Sequence, residues 1–146
     1  MTERTSNQRE DLGKGVRRYW LTPRIVVIET DGDMSPAAID VWAVATAQAV
    51  RDYPPEYKSI YLLQNLVHPN QRITPYARQK TETLYNSMIL TRPVYVAVAL
   101  QNSFVNQIVS MFVRLWDRSQ PLVTQRIFTS SDAAIHWLES TLAARL

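Results

Sequence analysis

The sequence predicts an α/β domain built on a mostly parallel sheet, and three observations carry that reading. Strand-like apolar runs alternate with segments of helical period along most of the chain. Two of those runs, IVVI (25–28) and VYVAVAL (94–100), are apolar almost throughout, as strands buried on both faces are. The order is strand, strand, helix, then strand and helix three times, which argues a parallel sheet with right-handed crossovers. The expectation is one domain of about five strands and four helices, with an N-terminal hairpin strand.

Each element has its own local reason. RRYWLT and RIVVIETDG read as two strands joined at a short turn containing Pro23. Ser35 then caps a helix and Pro36 suits its first position. Ile39, Trp42, Thr46, Ala49 and Tyr53 share one face of it, and Pro54 and Pro55 end it. SIYLLQNLV is the next strand. Thr74 and Pro75 repeat the cap-and-proline start for a helix that buries Ala77, Leu84 and Met88 and ends before Pro93. PVYVAVALQ is a strand, SFVNQIVSMFVRLWDRS a helix capped by Asn102 or Ser103, TQRIFTS the last strand, and SSDAAIHWLESTLAARL the last helix, capped by Ser130 or Ser131.

The 146 residues suit one domain, and 46% hydrophobic content is enough for a core. There is no cysteine, which excludes disulfides and thiolate metal sites and fits a reducing cytoplasm. No apolar run reaches the ~18 residues a membrane span needs. The first fifteen residues are polar, lack a signal-peptide core, and read as a disordered tail ahead of a domain over 16–146. The net charge of +3 is mild, and there is no basic stripe interleaved with aromatics, so nucleic acid is not an expected partner. Charge is segregated instead. Glu29 to Glu56 holds six acids and one base, and Lys58 to Arg92 holds five bases and one acid. Two solvated faces of opposite sign explain this; a self-complementary or partner-binding surface is the alternative.

Three stretches carry a family likeness. VVIETDGDMSPAAI has the form of a strand, glycine turn and capped helix. YLLQNLVHPNQRITPYA has that of a strand, functional loop and helix start. RIFTSSDAAIHWLES puts an arginine and an aromatic on a strand, then an alanine and a Trp-Leu pair on the final helix. Over about residues 17 to 142 the chain resembles the SpoIIAA-like branch of the STAS family, whose general fold a lipid-carrier superfamily shares. The resemblance implies a β-α superhelical sheet with parallel strands adjacent in chain order, and a non-enzymatic protein that works through partners or a bound nucleotide or small ligand. It places a phosphoacceptor at the start of the second helix, where Thr74 is the only matching hydroxyl. Two positions depart from the family pattern. Ile73-Thr74 stands where an acidic-serine pair is expected, and Gln64 stands where an aspartate is usual.

Read from the residues alone, Thr74 is a helix cap. Phosphorylated, it would put charge of about −2 at a helix N-terminus, with Arg72 and Arg78 to pair it. His68, Asn70, Gln71 and Arg72 are either an ordinary polar loop or a grip on an anionic ligand at that helix end, with Arg78 in reach. His136 falls on the last helix as a surface or half-buried residue, and two histidines so far apart make no metal signature. Glu29, Asp31 and Asp33 lack the calcium-loop pattern, so Asp31-Gly32 reads as a turn and Asp33 as helix-start charge. The glycines, Gly13, Gly15 and Gly32, build no phosphate loop. No cofactor and no catalytic residue is expected. The helix expected over 103–119 carries surplus apolar surface. Phe104, Ile108, Met111, Phe112 and Leu115 make one face; Val105, Val109, Val113 and Trp116 make much of another. That surplus fits deeper burial in the monomer, the wall of a lipid pocket, or a homodimer surface on Val105, Val109, Phe112, Val113 and Trp116. The functional expectation is a cytoplasmic, non-catalytic domain that binds itself or a protein partner; the alternative is a small-molecule or lipid carrier with its pocket beside that helix.

Overall fold

The computed structural model describes residues 8–68, 74–101 and 121–145. They form six strands in one sheet: β1 (Glu10–Gly13), β2 (Val16–Thr22), β3 (Ile25–Glu29), β4 (Ile60–Asn65), β5 (Val94–Ala99) and β6 (Val123–Phe128). Strand order in space is the order in the chain. β2 runs antiparallel to both of its neighbours, β1 and β3, and β3 to β6 are parallel. Three helices complete the described residues: α1 (Pro36–Arg51), α2 (Pro75–Ser87) and α3 (Ser131–Ala144). The α/β class and the mostly parallel sheet are as the sequence predicts, with one strand more. The helix expected over 103–119 lies outside the described residues.

Alternation along the strands builds two cores. Val26, Ile28, Leu62, Val96 and Val98 meet Trp42, Ala45 and Ala49 of α1 and Leu84 and Tyr85 of α2. Ile25, Val27, Leu63, Tyr95, Ala97 and Ala99 meet Ala134 and Leu138 of α3 on the opposite face. β3 and β5 are buried at every position, as strands covered on both sides must be. The helices begin as expected. Ser35, Thr74 and Ser130 each accept a backbone N–H from three residues on, at 3.3, 3.0 and 3.2 Å. In α2 the buried residues are Thr81, Leu84 and Tyr85, while Ala77 and Met88 are half-buried.

Of the disordered tail expected over residues 1–15, residues 1–7 lie outside the described residues, and part of the rest is a strand. Residues 10–13 are β1, and the ladder to β2 pairs Glu10 with Arg18 and Asp11 with Arg17. Leu12 packs against the α1-side core, and an ion pair of 2.8 Å joins Arg18 to Glu10. Counting apolar area alone missed this strand, because backbone pairing contributes most of what holds it. Lys14 and Gly15 have φ of 55° and 77°, the positive values that a two-residue hairpin turn requires. Gly15 also lies against the β3–α1 loop, where a Cβ would come within 2.0 Å of the Asp31 carboxylate.

The segregated charges meet inside the chain. Asp40 of α1 pairs with Lys80 of α2 at 3.2 Å and accepts a hydrogen bond from the Tyr76 hydroxyl. Arg92 donates to the carbonyls of Pro54 and Tyr57 at 2.7 Å each and to that of Tyr53 at 2.8 Å. It thereby fastens the loop that follows α1 to the start of β5.

Candidate functional site

In open parallel sheets, ligands bind beyond the carboxyl ends of the strands. That edge collects the residues the sequence singled out. The register sets Glu29, Asn65 and Ala99 side by side across β3, β4 and β5. Glu29 is 8% exposed, and its Oε1 accepts from Arg9 Nε at 2.7 Å and Arg17 Nε at 3.0 Å. Asn65 Oδ1 accepts from the Ser131 hydroxyl at 3.0 Å, which ties the end of β4 to the first turn of α3. His68 is half-buried and its ring lies against Gly32, where a Cβ would stand 2.3 Å from Nδ1. Gly32 has φ of 91°, so both its backbone and its lack of a side chain are used.

The nearby acids serve the turn. Asp33 accepts the Ser35 N–H at 2.9 Å, and Asp31 accepts the Asp33 N–H at 3.3 Å. Bonds from the Ser35 backbone and hydroxyl hold the Asp33 carboxyl below its usual range. Among the described residues no three His, Asp or Glu side chains gather in a way that would hold a metal ion.

Thr74 sits where the sequence puts it, with its Oγ1 taking the Ala77 N–H at 3.0 Å. Arg78 is exposed on the first turn of α2, and His136 is exposed on α3. Asn70, Gln71 and Arg72, and the expected interface residues Val105, Val109, Phe112, Val113 and Trp116, lie outside the described residues. The structure therefore brings His68 to the Gly32 turn and makes Thr74 a cap.

Sequence reasoning missed Asn65, Ser131 and the role of Gln64. Gln64 is 1% exposed; its Oε1 accepts from Trp42 Nε1 at 2.9 Å and its Nε2 donates to Thr46 Oγ1 at 2.9 Å. Gln64 thus pins α1 to β4. The available signal was a polar pair, Gln64-Asn65, ending an otherwise apolar strand. Such a pair sends one side chain to each face of the sheet.

Two grooves open elsewhere. One of about 530 Å³ lies beside β1, over Trp20, Val26 and Ala49, with Arg9, Arg18 and Asp52 at its rim. The other, of about 420 Å³, lies between α1 and the α2–β5 connection, lined by Ala47, Val50, Ile60, Met88, Ile89 and Leu90 among others. Ile89 is 93% exposed, and Val44 on α1 is 55% exposed.

No family model, curated protein or solved structure matches the chain.

Proposed function

We propose that the chain is a non-catalytic, STAS-like domain that acts by binding a second copy of itself or a protein partner. The observation that carries this reading is the apolar outer surface at α1 and the α2–β5 connection. Ile89 stands in solvent at the rim of a groove with several apolar linings, and Val44 is exposed elsewhere on α1. At the carboxyl edge of the strands, by contrast, Glu29, Asn65 and Thr74 are engaged in bonds within the chain. Strands adjacent in chain order and parallel from β3 onward support the STAS-like reading. A reducing cytoplasm suits a chain without cysteine, and among the described residues no helix is long and apolar enough to cross a membrane.

Sedimentation equilibrium tests the self-association arm. The expected result is a reversible dimer at tens of micromolar, roughly the scale at which a weak interface shows. Ile89→Glu should move it to monomer if the α1–α2 surface is used. Val109→Glu with Val113→Glu should do so if the surface lies on the segment after β5.

A second reading is a small-molecule or lipid carrier. The groove between α1 and the α2–β5 connection favours it, since about 420 Å³ falls within the usual range for ligand pockets. Native mass spectrometry separates the two readings, because a co-purified ligand adds a small fixed mass whereas self-association doubles the mass.

A further inference from the structure

An open sheet has two edges, and each edge strand offers a row of unpaired N–H and C=O groups. Here the two edges differ. β1 has four residues, begins with Glu10 and Asp11, and shifts register against β2 between Asp11 and Gly13. Short length, charge and irregular pairing are features that keep an edge from recruiting another strand. β6 has none of them. It runs six residues, VTQRIF, in unbroken register with β5, without proline and with Arg126 as its one charge. Among the described residues no strand pairs with its outer side. α3, which follows it, buries Ala134 and Leu138 against β4 and β5.

The bonds to β5 fix which backbone groups face outward. The Leu122 carbonyl accepts the Val94 N–H and the Phe128 carbonyl accepts the Leu100 N–H, both at 2.9 Å. Backbone groups alternate sides along a strand, so the even-numbered residues serve β5. Val123, Gln125 and Ile127 therefore turn their N–H and C=O groups to the open side. Val123 and Ile127 are half-buried against the α1-side core. Gln125 shares their face of the strand, and its side-chain amide has no hydrogen-bond partner. On the other face, Arg126 lies 5.9 Å from the Trp137 ring of α3.

We infer that β6 pairs antiparallel with β6 of a second copy, about a two-fold axis through Gln125, so that the two sheets continue as one. A two-fold axis normal to the sheet keeps both α1 sides on one face, so the register slips only in steps of two residues. With Gln125 opposite Gln125, Val123 falls opposite Ile127 of the second copy and carries the apolar face across the seam. Leu122, an exposed leucine, falls opposite Phe128, and Thr124 opposite Arg126. The two Gln125 amides stand side by side, where a turn of their side-chain torsions gives each the partner it lacks. The adjacent registers are worse. A slip of two residues one way sets Arg126 against Arg126, and like charges directly opposite are destabilising. The same slip the other way sets Pro121, which has no N–H to give, against Ile127.

This pairing rests on the self-association proposed above. It belongs with the arm placed on the segment after β5, since that segment leads into β6 along the chain.

The chain has no cysteine, so single introduced cysteines read the register. Full-length Thr124→Cys and Arg126→Cys chains are mixed, treated with oxidised glutathione, and the linked species weighed by mass spectrometry. Directly opposed positions that do not exchange backbone bonds stand about 4.5 Å apart at Cα, within disulfide reach. The expected product is the mixed dimer, well beyond its statistical share over the two symmetrical ones. Gln125→Pro supplies a second reading. It removes an N–H that faces the second copy and none that β5 uses, an orientation in which an edge strand tolerates proline. Circular dichroism should show it folded, and sedimentation equilibrium should show dimerisation weakened by about tenfold or more, since two bonds at the axis are lost. A wild-type dimer with no excess of mixed product, or with either symmetrical product dominant, overturns the pairing and leaves self-association through another surface standing. So does a folded Gln125→Pro that dimerises as the wild type does. A wild type that stays monomeric at tens of micromolar, roughly the scale of a weak interface, overturns the pairing and self-association together, including where the edge takes a strand of a different protein. If Gln125→Pro unfolds, the disulfide ratio decides alone.

Discussion

Gln64 satisfies Trp42 and Thr46 from the buried end of β4, where water cannot substitute for it. Gln64→Leu removes both bonds at once and leaves the Trp42 N–H and the Thr46 hydroxyl in the core. Leaving a buried polar group unpaired costs about 1–3 kcal/mol, so urea unfolding should show a loss in that range with an unchanged slope. Thr74 makes a different prediction. Thr74→Ala should cost ~1 kcal/mol as a lost cap, whereas Thr74→Asp should be as stable as the wild type, because Asp caps a helix equally well. If Thr74→Asp also changes what the domain captures, Thr74 has a switching role beyond the cap. Identical capture by the two proteins argues for a cap alone. The Ser-Pro and Thr-Pro pairs made the caps legible in the sequence. The partners of Gln64 and Asn65 were not legible, because they come from α1 and α3, and only the folded sheet brings those helices to β4.

At the scale of elements, the clamp between α1 and α2 rests on Asp40. The hydrogen bond from Tyr76, helped by Lys80, holds its carboxyl below the ordinary range. A carboxylate with a lowered folded-state pKa stabilises the fold fully above its unfolded value, about pH 4, and that contribution is lost as pH falls through the lower folded-state value. Carbon-13 NMR of the Asp40 carboxyl should therefore give a midpoint below about 3.9. Asp40→Asn should flatten the acid limb of the stability curve at those pH values. A midpoint at the ordinary value, with no difference between the two proteins, would contradict the clamp. Most of the elements were legible because apolar runs and proline-marked helix starts are local signals. β1 was not, since its four residues are held by pairing to β2 and by the Lys14-Gly15 turn rather than by an apolar pattern of their own.

For the whole molecule, charge segregation along the chain turned out to be partly an internal matter, with Lys80 and Arg92 reaching back to α1 and the loop after it. That transfers the case for association from charge to apolar surface, to Val44 and Ile89 and to the valines expected after β5. Exposure at 93% is a property of the assembled surface, and no helical or strand period in the sequence marks Ile89 for it. The most direct test of the central claim, a domain that works by association, is sedimentation equilibrium of the wild type beside Ile89→Glu and the Val109→Glu, Val113→Glu pair, with circular dichroism as the folding control. The account predicts a dimer for the wild type at tens of micromolar, on the scale of a weak interface, and a folded monomer for one of the two variants. A wild type that stays monomeric throughout that range and captures no protein partner would contradict it.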